Sequence, residues 1–210
     1  MAAEVPSLPL APRLNNIAAK VSPWIVYGLG ALPFISIAYL TVTGGLGADP
    51  ARTLEHRLGI WALRFLILCL CVTPLRRVSG INLLRFRRAL GLLAYEYALL
   101  HFAAYLIIDQ GLSWPAILAD IVKRYYITVG FAALVLLTPL ALTSNRWSIR
   151  RLGVRWRWLH RLVYPAASLG AIHFILSVKS WPPEPLIYAA IVVVLLTFRL
   201  RYERRRPRGS

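Results

Sequence analysis

Cysteine is nearly absent from this 210-residue chain, which has only Cys69 and Cys71. They lie two apart in an apolar run, on different sides of a helix, and read as small core residues. A disulfide framework or cysteine-ligated zinc site is not implied. Charge is scarce too. Asp, Glu, Lys and Arg make up 16% of residues against roughly 25% in a typical soluble domain. Hydrophobic residues make up 58%, and the mean hydropathy is +0.60. This is the balance of an integral membrane protein. At about 35 residues per span and loop, the length accommodates roughly six helices and no separate soluble catalytic domain. The first 23 residues lack the charged, apolar and cleavage regions of a secretory signal and read as a flexible lead. There is no internal repeat or low-complexity linker. Acids are the scarcest charge, 8 against 25 Lys and Arg, which leaves a net +17. In a soluble chain that would suggest nucleic acid. Here the cations cluster between apolar runs with no aromatic-lined groove, so topology accounts for them and no nucleic-acid partner is expected.

Six apolar runs lie at about 24–43, 58–72, 89–108, 126–142, 158–178 and 186–200. A span needs roughly 20 apolar residues to cross about 30 Å of hydrocarbon. The runs predict an all-α integral membrane protein, a bundle of about six transmembrane helices. Arginines concentrate after the second, fourth and sixth runs. They are Arg76, Arg77, Arg85, Arg87 and Arg88; Arg146, Arg150, Arg151, Arg155, Arg157 and Arg161; and Arg199, Arg201, Arg204, Arg205, Arg206 and Arg208. The other three connections hold five basic residues against these 17, balanced by acids such as Asp49, Glu55 and Asp120. The positive-inside bias then puts both termini in the cytoplasm. Trp147, Trp156 and Trp158 fit an interfacial aromatic belt beside one arginine cluster. The chain divides into a lead (1–23), a transmembrane domain (24–200) and a basic cytoplasmic tail (201–210).

Chemistry-bearing residues are few. The chain has four histidines, and two of them, His160 and His173, fall in the fifth run. Ionisable groups inside a span are costly, so a histidine there is a candidate functional residue. His101 lies 13 residues beyond Arg88 in the third run, and His173 lies 13 beyond His160. Both runs go from cytoplasm to outside, so His101 and His173 fall at one depth towards the outer face. Two parallel helices could grip one haem iron from opposite sides there, since neutral imidazole is a common axial ligand. The plainer reading is two buried histidines hydrogen-bonded between helices. His160 sits near the cytoplasmic edge, as a second haem ligand or an interfacial histidine. In an ideal helix 13 residues leave His160 and His173 about 140° apart around the axis, and Pro165 between them offers a kink. His56 reads as a loop or capping residue. Arg64 and Glu96 are the other intramembrane charges. Arg64 either pairs with Glu96 or faces a haem propionate. Arg161 beside His160 faces a propionate or is a plain positive-inside residue.

The motif LGLLAYEYALLHFAAY around His101, RLHRLVY around His160 and HFILSVK around His173 resemble the haem-binding membrane subunit of the bacterial protein-methionine-sulfoxide reductase system, the MsrQ family. TLEHRLGIWALRFL, TPLRR and KRYYITVGFAALVLL extend the resemblance across nearly the whole transmembrane part. That family belongs to the ferric-reductase-like group, which includes the NADPH oxidases. The resemblance implies a b-type cytochrome of the inner membrane, an electron-transfer subunit with its catalytic site in the partner. It would pass electrons from the quinone pool or a cytosolic flavin reductase to a periplasmic molybdenum-containing methionine sulfoxide reductase. One haem b is implied, with His160 as the candidate ligand of a second, and FMN is also associated with the family. The wider group usually carries two histidines on each ligating helix. Here the earlier position of the third run is Arg87 or Arg88, so His160 lacks an evident histidine partner. A small membrane transporter or a structural anchor for a periplasmic enzyme is the competing class. Neither requires the matched depth of His101 and His173.

Overall fold

The computed structural model describes residues 9–178 and 182–205. Residues 1–8 of the lead, Lys179, and Arg206 and Arg208 of the tail lie outside the described residues. Every regular element among the described residues is helical, and six helices are long and apolar enough to cross a membrane. The protein is a multi-pass membrane protein.

The spans are α2 (Trp24–Val42), α3 (Pro50–Ser79), α4 (Arg87–Ala104) with the π-helical turn Tyr105–Asp109, α6 (Tyr125–Leu142), the broken span from Val154 to Ser177, and α10 (Pro183–Arg205). Helix α3 is far longer than the apolar run at 58–72. The Asp49 side chain caps it by accepting from Arg52 N–H at 3.1 Å, Pro50 supplies a preset first turn, and Gly80 closes it at φ 77°. Its 30 residues extend about 45 Å, more than the hydrocarbon thickness, so both polar ends project beyond the core. Arg52, Glu55 and Arg57 interrupt the apolar pattern there without interrupting the helix.

The bundle is built from two closely packed helix pairs, α3 with α4 and, across the core, α6 with α9 (Val163–Ser177). Helix α10 lies on α9, and α2 lies on α3 and α4. Leu58, Leu63, Leu66 and Leu70 of α3 meet Leu93, Ala94 and Tyr97 of α4 in the core, with Ala166 and Ala167 of α9 fully buried. Small residues at such contacts let helix backbones approach where lipid offers no hydrophobic drive. Tyr97 also fixes α2. Its hydroxyl accepts from Phe34 N–H at 2.9 Å and donates to Gly30 C=O at 2.6 Å, entering the helical ladder beside Pro33. A Cβ at Gly30 would crowd the Leu93 side chain, which would have to shift.

The fifth span is not one helix. It runs as α8 (Val154–Leu159), a 3-10 turn at His160–Leu162, and α9, with α7 (Arg146–Leu152) preceding it. The helical irregularity between His160 and His173 is thus the 3-10 turn. Pro165 lies in the first turn of α9, where its missing N–H costs no helical bond.

Two short helices flank the spans. Of the residues read as a flexible lead, Ala11–Lys20 form α1. Pro12 stands in its first turn, and polar residues tie it to the 80–85 segment. Helix α5 (Trp114–Lys123) crosses between the third and fourth spans. Asp120 anchors it by accepting from Gln110 Nε2 at 3.1 Å and from Tyr105 Oη at 3.3 Å, and by pairing with Arg124 Nε at 2.9 Å.

Candidate metal centre

His101 projects from α4 and His173 from α9, and their ring centroids are 6.0 Å apart with an interplanar angle of 69°. The equal depth expected from the sequence is therefore realised as direct juxtaposition. Each imidazole is held by the neighbouring helix of its own pair. His101 Nδ1 bonds the Glu55 carbonyl of α3 at 2.8 Å, and His173 Nδ1 bonds the Tyr126 carbonyl of α6 at 2.7 Å. A carbonyl only accepts, so each Nδ1 carries the proton and each Nε2 keeps the lone pair that binds a metal.

The two anchors share one construction. Gly59 follows Glu55 by four residues and Gly130 follows Tyr126 by four, so each glycine lies one turn beyond the accepting carbonyl. A Cβ on Gly130 would lie 2.6 Å from His173 Nδ1, and one on Gly59 would lie 3.3 Å from His101 Nδ1. Each ring thus rests on bare helix backbone. With both Nδ1 atoms engaged by carbonyls, the two Nε2 atoms of this adjacent pair are the ones left to hold a metal-containing group. Among the described residues no cluster of three or more His, Cys, Asp or Glu could hold a metal ion, so the two histidines would suit a group that brings further metal ligands of its own. A porphyrin does that.

The other histidines are placed differently. His160 lies in the 3-10 turn, stacked on Trp156 with centroids 3.8 Å apart. Its Nδ1 bonds the Trp156 carbonyl at 3.1 Å, and its Nε2 faces Ser144 Oγ at 3.5 Å. Arg87 is near enough to act on it electrostatically. His56, expected in a loop or cap, lies within α3 and packs on Phe174 at 5.7 Å between centroids.

Arg64 does not pair with Glu96. Its Nε donates to Tyr188 Oη at 2.7 Å, its Nη2 is 4.0 Å from Glu184, and its guanidinium lies over the Trp61 ring at 4.8 Å. Glu96 lies on an exposed face of α4. Arg161 is exposed and stacks over Trp158 at 4.2 Å, as an interfacial cation does.

Known proteins resemble this chain over most of its length. Residues 58–171 match the family described as ferric reductase like transmembrane component, a range that includes His101 and His160. A Brucella anthropi protein named protein-methionine-sulfoxide reductase heme-binding subunit MsrQ is 59% identical over 194 residues, covering 89% of this chain and 88% of its own. Proteins of the same name from Brucella ovis and Brucella canis are 58% identical over the same shares. This chain belongs to the MsrQ family. No solved structure matches it.

The sequence of this MsrQ family member showed the two ligand candidates but not their supports. Glu55 and Tyr126 contribute backbone carbonyls, which no side-chain pattern reports. Gly59 and Gly130 sit in EHRLG and YITVG, and the only shared signal is a glycine four residues after the accepting position. Trp156 and Tyr188 read as belt and span residues, and only folding brings them to His160 and Arg64.

Proposed function

We propose that this MsrQ family member is a b-type cytochrome of the bacterial inner membrane, in which His101 and His173 would hold one haem. The observation that carries the proposal is the pair of imidazoles with centroids 6.0 Å apart, each with Nδ1 anchored to a helix carbonyl. Haem bound there would supply one-electron redox chemistry. The chain's own residues hold and orient. The Glu55 and Tyr126 carbonyls fix the tautomer and raise the basicity of each Nε2. Gly59 and Gly130 leave room for the rings, and the apolar spans keep water from the site. Arg64 lies in the same outer half and is the proposed partner for a propionate, in exchange for its contact with Glu184.

Electrons would come from the quinone pool or a cytosolic flavin reductase and leave to a periplasmic molybdenum-containing methionine sulfoxide reductase, where catalysis occurs. The names of the relatives support the methionine sulfoxide system. The arginine-rich side is the proposed cytoplasmic side, with His160, Trp156 and Arg161 near the donor. A second haem at His160 would have to replace its contact with Ser144 and find a ligand other than Arg87, whose guanidinium has no free lone pair. FMN belongs to the proposal as an additional carrier, as the resemblance implies.

The test is a pyridine-haemochrome assay per mole of purified protein, with dithionite-reduced spectra. His101→Ala and His173→Ala should each abolish the same low-spin signal. A folded variant of either that keeps the full wild-type spectrum overturns the assignment.

A further inference from the structure

Helix α1 shows two faces with different fates. At about 100° per residue, Ala11, Asn15 and Ala18 share one face and Leu10, Leu14 and Ile17 the next. The first is docked. Ala11 and Ala18 are buried, Asn15 Nδ2 donates to Gly80 C=O at 3.1 Å, and Asn15 Oδ1 accepts from Asn82 N–H at 2.7 Å. Arg85 Nη1 closes the end of α1 by donating to the carbonyls of Ala18, at 2.8 Å, and Ala19. The second face is bare, with Leu10 61%, Leu14 41% and Ile17 59% exposed.

The level of this bare stripe is fixed from two directions. Residues 21–23 join α1 to the first span at Trp24, a reach of at most about 14 Å. Gly80, to which Asn15 is bonded, caps the arginine-rich end of α3. Both tethers place α1 at the membrane–water boundary. Arg13 and Lys20 border the stripe, Arg76, Arg77, Arg85, Arg87 and Arg88 belong to the adjoining segment, and no acid occurs in residues 10–23 or 76–88.

We propose that α1 is an interfacial helix whose Leu10–Leu14–Ile17 stripe enters the leaflet on the arginine-rich side, with the surrounding cations taking up anionic phospholipid headgroups. A short amphipathic helix with apolar residues beside cations suits that boundary. A soluble protein would have to reach the stripe at headgroup level and meet the same cations.

The test uses the full chain with Cys69→Ala and Cys71→Ala, and a bimane label on a single cysteine replacing Leu14, Ile17 or, as the water-facing control, Asn16. Vesicles are phosphatidylcholine alone or with one quarter phosphatidylglycerol, and doxyl-labelled lipid or aqueous iodide is the quencher. Labels at 14 and 17 should be quenched by lipid doxyl severalfold more than the label at 16, with the ranking reversed for iodide. Phosphatidylglycerol should increase the lipid quenching. Arg13→Glu with Lys20→Glu should reduce that increase severalfold, since each cation contributes about fivefold to binding at an anionic surface. Iodide reaching 14 and 17 as readily as 16 overturns the proposal, as does indifference to phosphatidylglycerol. Unlabelled protein gives an independent reading. Hydrogen exchange over residues 10–20 should slow in the anionic vesicles, and equal exchange in both vesicle types also overturns it.

Discussion

Gly130→Ala is the sharpest perturbation of the histidine pair, because its sign is decided by competing magnitudes. In an exposed helix the change would stabilise by about 1 kcal/mol through propensity alone. Here the new Cβ would lie 2.6 Å from His173 Nδ1, 2.8 Å from Cε1 and 3.0 Å from Cγ. Carbon contacts settle near 3.5 Å, so the ring must retreat by roughly 1 Å. The ring is tethered, since Nδ1–H donates to Tyr126 C=O at 2.7 Å and retreat breaks that bond. Overpacking costs about 1–3 kcal/mol and the lost hydrogen bond about 1 kcal/mol, which together exceed the propensity gain. A displacement of that size is also half of a metal–nitrogen bond of about 2 Å. Gly130→Ala should therefore lose most of the low-spin signal and lower haem per mole of protein. Gly59→Ala is the internal control. Its Cβ would meet the His101 ring at 3.3 Å, which a shift of a few tenths of an ångström relieves, so haem content should stay near wild type. Both variants are read by reduced-minus-oxidised spectra and pyridine haemochrome on monodisperse protein. A Gly130→Ala protein with wild-type spectrum and stoichiometry refutes the argument from the bare backbone.

Other consequences follow for the rest of the bundle. Tyr97→Phe removes the hydroxyl between Phe34 N–H and Gly30 C=O and should lower stability in detergent by about 1 kcal/mol, seen as a reduced unfolding midpoint; an unchanged midpoint means α2 re-forms its own ladder. His160→Ala should leave the His101–His173 low-spin signal in place while slowing reduction from the arginine-rich side, and wild-type rates would make His160 an interfacial residue only. A topology reporter fused after Ser210 should read as cytoplasmic and one inserted between Lys179 and Glu184 as periplasmic, and the reverse would invert the proposed direction of electron flow.

The spans were legible in the sequence because crossing a membrane needs a long apolar run, a signal strong enough to survive single charges. Their ends were not. Arg52, Glu55 and Arg57 hide two turns of α3 from a hydropathy reading, although Asp49-Pro50 is a helix start on chemical grounds. The depth match of His101 and His173 followed from counting residues, which works because rise per residue is nearly constant. Rotation is less forgiving. The 3-10 turn at His160–Leu162 changes the twist, and nothing in HRL distinguishes it from continued helix. Helix α1 was missed because its stripe has only three large apolar residues, and its docking depends on Asn15 meeting a loop 65 residues away. The Arg64 partner illustrates the same limit. Depth alone permitted Glu96, but Glu96 faces away and Tyr188 and Glu184 of α10 take the guanidinium.

The separate anchoring of the two histidines also bears on synthesis. His101 and Glu55 both lie in the α3–α4 hairpin, whereas His173 emerges 72 residues after His101. At about 5–20 residues per second the first hairpin waits roughly 4–14 s in the membrane before its counterpart exists. Throughout that interval a lone imidazole faces lipid or a half-built bundle. Its bond to the Glu55 carbonyl closes within the hairpin, so the ring is already oriented and its polar N–H already satisfied before α6 and α9 are made. Each hairpin of the finished protein thus contains both the ring and the carbonyl that orients it.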